Sequence, residues 1–134
     1  MSTICTSIEQ SRKLIDLGID ISTADMMWED WNLIDEGWKL NVGYYPEIEQ
    51  DYGRKCYPAW SLSALLELIP PYLGEFNDGI DFGFSKSMNG KWYSAHYIQL
   101  DNSGLATFTK TVTGDTSIDA VFEMVCWLLQ NDKI

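Results

Sequence analysis

The chain has 134 residues and 9 Lys+Arg against 20 Asp+Glu, a formal charge of −11, with 46% hydrophobic and 22% charged residues. This is the composition of one folded domain over residues 1–134, not of a disordered chain. The acidity excludes direct nucleic-acid binding and attraction to anionic lipid, because both rest on Lys and Arg neutralising phosphates.

The first helix is expected from Thr6-Ser-Ile-Glu9, which reads as a capping box, to Gly18, which enters the left-handed conformation cheaply. Ile19 should then fold back on Leu14 or Ile15. Ser22-Thr-Ala-Asp25 is a second N-cap signature and predicts a helical turn near 23–26. A hairpin with strands near 27–34 and 38–45 should follow. Pro58-Ala-Trp opens the clearest helical pattern: Leu62, Leu65, Leu66 and Ile69 form one stripe, Ser61 is the N-cap and Pro70-Pro71 the stop.

From Ile80 the apolar period changes to two. Asn89-Gly90 is a strong hairpin signal, and closing it sets Phe84 opposite Ala95 and Phe82 opposite Tyr97. A second turn, Asp101-Asn-Ser-Gly104, would pair Leu100 with Leu105 and Tyr97 with Phe108. Both registers place Phe82, Phe84, Tyr93, Ala95, Tyr97, Ala106, Phe108 and Val112 on one face of a three-stranded meander. The opposite, wet face would carry Trp92, His96, Thr107, Thr109 and Thr111. The last helix, from Asp115-Thr-Ser-Ile to about Asn131, is apolar nearly all round. Ala120, Met124 and Trp127 form a second stripe that suits a subunit contact and hence a homodimer. The expected fold class is therefore α+β, an antiparallel sheet of three to five strands with helices on one face. Leu66 and Phe84 are expected in the core.

No catalytic set stands out. His96 is the only histidine, so a metal site or triad lacks partners, and no metal or cofactor is expected. Cys5, Cys56 and Cys126 form no CxxC pair, and an odd count at wide spacing suits free thiols in a reducing, cytoplasmic setting. Cys56 beside Arg54-Lys55 lies outside any nucleophile motif. Asp78-Gly-Ile-Asp81 lacks the rest of a calcium loop, and the glycines form no phosphate-binding loop. The N-terminus has neither the basic nor the apolar region of a signal peptide, and no apolar run is long enough to span a membrane.

The unusual region is 16–51. Asp16, Asp20, Asp25, Glu29, Asp30, Asp35, Glu36, Glu47, Glu49 and Asp51 stand there against Lys39 alone, interleaved with Trp28, Trp31, Trp38, Tyr44 and Tyr45. Such a surface suits capture of a basic protein, with Glu29, Asp30, Asp35 and Glu36 steering and Trp28, Trp31 and Trp38 anchoring. The bland alternative is a solvated acidic rim over buried tryptophans. Two other readings are a small-molecule site or enzyme on the wet face around Trp92, His96 and Thr109, and an acidic mimic of DNA.

Three stretches, Ser7–Met26, Pro58–Pro70 and Ser117–Leu129, resemble a family of small acidic proteins from gut Bacteroidales and their phages or mobile elements. These are capping and packing motifs, so the resemblance implies a shared fold and a mobile-element setting. It implies no catalytic residues, cofactor or substrate. The closing strand, turn and amphipathic helix is also similar to the end of HicB-type antitoxin domains, a likeness resting on a widespread pattern.

Overall fold

In the computed structural model, which describes residues 4–30, 37–45, 55–74 and 79–134, helix α1 (Ile8–Asp16) starts one residue later than expected. Its N-cap is Ser7. The Gln10 amide donates to Ser7 Oγ at 3.1 Å, and the Gln10 side chain accepts from the Ser7 amide at 3.0 Å. Thr6 is unavailable for capping because it is fully buried, where its hydroxyl meets Ser11 Oγ at 2.9 Å and accepts from the Trp60 amide at 3.1 Å. The helix ends as its sequence suggests: Gly18 takes φ 91°, and the Ile19 amide returns to the Leu14 carbonyl at 3.1 Å.

The helical turn expected near 23–26 lies at Ile21–Thr23, a 3-10 turn capped by Asp20. Strands β1 (Met26–Asp30) and β2 (Trp38–Val42) then pair antiparallel, with Trp28 opposite Leu40. Residues 31–36, with Trp31, Asp35 and Glu36 among them, lie outside the described residues. Residues 58–60 do not open a helix. Cys56–Ala59 is a third strand, β3, joined to the free side of β1 with Pro58 opposite Met27. The order β2-β1-β3 makes β3 an edge, where a residue without an N–H is tolerated. Helix α1 packs against β3.

Helix α2 (Leu62–Leu68) follows, with Ser61 Oγ accepting from the Ala64 amide. Its apolar stripe is narrower than the sequence suggests. Leu65 and Ile69 are buried, whereas Leu66 is 36% exposed and does not belong to the core. Backbone contacts divide the chain within this helix into two units, Met1–Ala64 and Leu65–Ile134.

The second unit holds a four-stranded antiparallel sheet, β4 (Tyr72–Leu73), β5 (Ile80–Lys86), β6 (Tyr93–Leu100) and β7 (Ala106–Gly114), in that spatial order. The β5–β6 register is the one the Asn-Gly turn dictates, Phe84 opposite Ala95 and Phe82 opposite Tyr97. The β6–β7 register differs. Asp101, not Leu100, closes the turn on Leu105, because its carboxylate accepts from the amides of Ser103 and Leu105 and its own amide reaches the Leu105 carbonyl. That moves the pairing to Leu100–Ala106 and Ile98–Phe108. A bulge then makes Tyr97 face Lys110, and Thr109 has no opposite residue.

Phe108 and Ala106 therefore leave the expected inner face. Phe108 is 58% exposed, and Phe84, though on the inner face, is 37% exposed. The inner core is Ala95 and Tyr97 beneath helix α3 (Ser117–Gln130), whose N-cap is Thr116. Tyr97 donates to the Pro70 carbonyl at 2.6 Å, its ring lies 6.4 Å from Trp127, and burial pushes its hydroxyl pKa up to about 12. A Cβ at Gly114 would strike the backbone of Ala120, so glycine there lets the strand end meet the helix start. The chain is thus α+β, as expected, but its strands form two sheets instead of one, and α1 and α3 pack on different sheets.

The revised core is directly measurable. Leu65→Ala should cost about 2–5 kcal/mol by urea unfolding, and Leu66→Ala about 1 kcal/mol or less.

Candidate functional site

The acidic-aromatic segment, as far as it is described, is largely spent on structure. Trp28 is half-buried, and its indole Nε1 donates to the Thr6 carbonyl at 2.9 Å. On the same face of the sheet, Trp38 tilts against Tyr57 with ring centroids 5.5 Å apart. Arg12 lies 4.8 Å over the Tyr57 ring and donates to its hydroxyl at 2.9 Å. Glu29 points to the opposite face and is 2% exposed, with Asn41 Nδ2 donating to it at 2.5 Å. Its expected role as a steering charge is corrected: a carboxylate removed from water cannot meet a partner. Asp30 is half-buried opposite Trp38.

The wet sheet face does not assemble a site either. His96 does look away from α3, and it is half-buried beside Gly83, which leaves room for the imidazole where any Cβ would collide with it. Phe108 meets the imidazole edge-on at 5.5 Å, and Ser94 Oγ lies 3.4 Å from Nδ1. Burial holds the His96 pKa below its ordinary 6.5. Trp92 precedes His96 by four residues, roughly 13 Å along an extended strand. Thr109 is the exposed, unpaired residue of the bulge. The three residues expected to share a ligand face thus do not converge.

The subunit-contact stripe is also corrected. Ala120 and Met124 have no exposed surface within a single chain, and Trp127 is half-buried against Tyr97 with the Lys110 ammonium 5.7 Å over its ring. A helix apolar around its circumference is here simply covered.

A concavity lies in the first unit. A depression of about 390 Å³ is lined by Ile21, Ser22, Ala24 and Tyr44. The 3-10 turn that supplies Ile21 and Ser22, with Ala24 as its C-cap, is anchored on both sides. Asp20 Oδ1 accepts from the Ser22 amide at 3.0 Å and from Ser22 Oγ at 2.7 Å, and these bonds hold its pKa below the usual carboxylate value. Thr23 Oγ1 donates to the Asp20 carbonyl and accepts from Trp60 Nε1 at 2.9 Å. Asp25 accepts from the amide and hydroxyl of Ser61, while its carbonyl accepts from the Gly43 amide at 2.7 Å, tying the end of β2 beside the turn. Asp20 and Asp25, which flank the turn in sequence, are exposed, as are the apolar Ile21 (43%) and Tyr45 (51%). Sequence reasoning had marked the capping residues Ser22 and Asp25 but not the hollow. Its wall joins segments twenty residues apart, and only the β1–β2 pairing brings Tyr44 to Ala24.

Among the described residues no three His, Cys, Asp or Glu side chains group as a metal site, and no helix is long and apolar enough to cross a membrane. Cys5, Cys56 and Cys126 form no disulfide.

Glu29→Ala should lower stability by about 1–3 kcal/mol, read as a reduced urea midpoint, because it strips a buried hydrogen-bonded group from β1. For His96, the unfolded chain binds more protons between its depressed folded pKa and 6.5, so stability is intact above that window and falls as pH drops through it. His96→Gln should flatten the dependence of the urea midpoint on pH between about 7 and 5. In comparison with known proteins, no family model, curated protein or solved structure matches the chain.

Proposed function

We propose that the chain is a non-enzymatic, cytoplasmic interaction module that captures a basic protein segment. The observation that supports it best is the mixture of exposed carboxylates and exposed apolar side chains on the first unit. Asp20 and Asp25 stand beside Ile21 and Tyr45, and Val42 is 82% exposed on the adjoining strand. With −11 overall, long-range attraction speeds the approach of a cation-bearing partner, and the apolar groups hold it after contact. Three cysteines without a disulfide among them support a reducing compartment. The contact surface differs from the one expected at Trp28 and Glu29, because those two side chains serve the fold.

A peptide array tests this reading. The full chain should bind Lys/Arg-rich peptides that contain apolar residues, lose about tenfold or more in affinity between 50 and 300 mM salt, and ignore Asp/Glu-rich counterparts. Salt-insensitive binding, or none to basic peptides, would exclude the basic-partner function.

A further inference from the structure

We infer that the depression between the 3-10 turn and Tyr44 is the anchoring pocket of this module, taking an apolar side chain of a partner segment whose neighbouring Lys or Arg pairs with Asp20. The inference rests on the basic-partner reading and names the site and the partner's local chemistry.

Three features carry it. The hollow's volume, about 390 Å³, lies at the small end of ligand pockets, which run from ~300 to 1,000 Å³. It suits one or two side chains, not a folded element. Its wall is chemically uneven: Ile21, Ala24 and the Tyr44 ring offer apolar contact, and Ser22 is already committed to Asp20. The apolar part of this wall favours a hydrophobic side chain, and the Ser22 hydroxyl is already used within the turn. The charge at its edge is fixed. Asp20 is ionised and exposed, and both bonds from Ser22 land on Oδ1. Oδ2 belongs to the same rigid carboxylate and can accept a guanidinium or ammonium without further ordering. A carboxylate already oriented by its own turn loses less entropy on binding than a free side chain does.

The turn is also preorganised from beneath. Trp60 is fully buried and holds Thr23 through its indole N–H, and Asp25 is held by Ser61. Pockets with a fixed floor are where a single inserted side chain contributes most to affinity.

The test compares two fluorescein-labelled peptides on the full chain, Lys-Leu-Arg-Leu-Lys and Lys-Gly-Arg-Gly-Lys. The leucine peptide should bind at least tenfold more tightly. Ala24→Phe, which fills the hollow without changing charge, should erase that preference. Asp20→Asn, which keeps the acceptor for Ser22, should weaken both peptides about threefold or more. Phe108→Ser, on the second unit, should change neither. In case Ala24→Phe disturbs the turn, methyl NMR of the wild type supplies a separate readout: the leucine peptide should shift the Ile21 and Ala24 methyls selectively. Equal binding of both peptides, an intact preference in folded Ala24→Phe, or shifts centred away from Ile21 and Ala24 would overturn the pocket while leaving a basic partner in place. Failure of the wild type to bind either peptide would overturn the basic-partner reading itself.

Discussion

The first unit depends on the burial of one small polar residue. Thr6 sits where β1, β3 and α1 come together, and every polar atom it carries is used. Its amide donates to the Trp60 carbonyl at 2.9 Å, its carbonyl accepts from Trp28 Nε1, and its hydroxyl bonds both Ser11 Oγ and the Trp60 amide. An interior threonine is stabilising only when its hydroxyl and backbone are satisfied, and here the partners are Trp60 just after β3, Trp28 on β1 and Ser11 on α1. The same network reaches outward through Trp60 to Thr23, so the turn that walls the hollow is set by a buried residue with no surface of its own.

Charge is divided along the chain as unevenly as polarity is. From Phe82 to Gly114 the charged residues are Lys86, Lys91, Lys110 and Asp101, so the large sheet is close to neutral while the acids gather elsewhere in the sequence. Two of those lysines lie over aromatic rings, Lys86 over Tyr93 and Lys110 over Trp127. The acidity therefore does not serve as a general coat. It leaves the stretch from Phe82 to Gly114 close to neutral, and the other acids lie before and after it in the sequence.

Local signals were legible wherever one chemical feature decides the backbone. The Gly18 helix end, the Ser61 cap and the Asn-Gly register of β5–β6 all follow from short motifs, and the structure shows each of them. What could not be read was set by distant competition. Thr6 looks like a cap until Trp60 claims its hydroxyl. Pro58 looks like a helix opener until β1 offers an edge. Phe108 looks like an inner residue until Asp101 lengthens the turn and Thr109 slips the ladder. The functional residues divide in the same way. Glu29 and Trp28 read as surface from their neighbours, yet side-chain hydrogen bonds tie one to Asn41 and the other to the Thr6 carbonyl. The hollow itself had no sequence signal, because spacing within one segment says nothing about Tyr44 arriving from another.

The extra residue at Thr109 has a consequence beyond register. β7 ends the strand order, and a long edge strand is an open template on which other chains add and aggregate. Here the ladder is broken midway, and the inward position just past the break holds Lys110, whose charge would have to be carried into any continuous stack. The irregularity that spoils a neat meander also keeps this threonine-rich ribbon from serving as a seed for fibres.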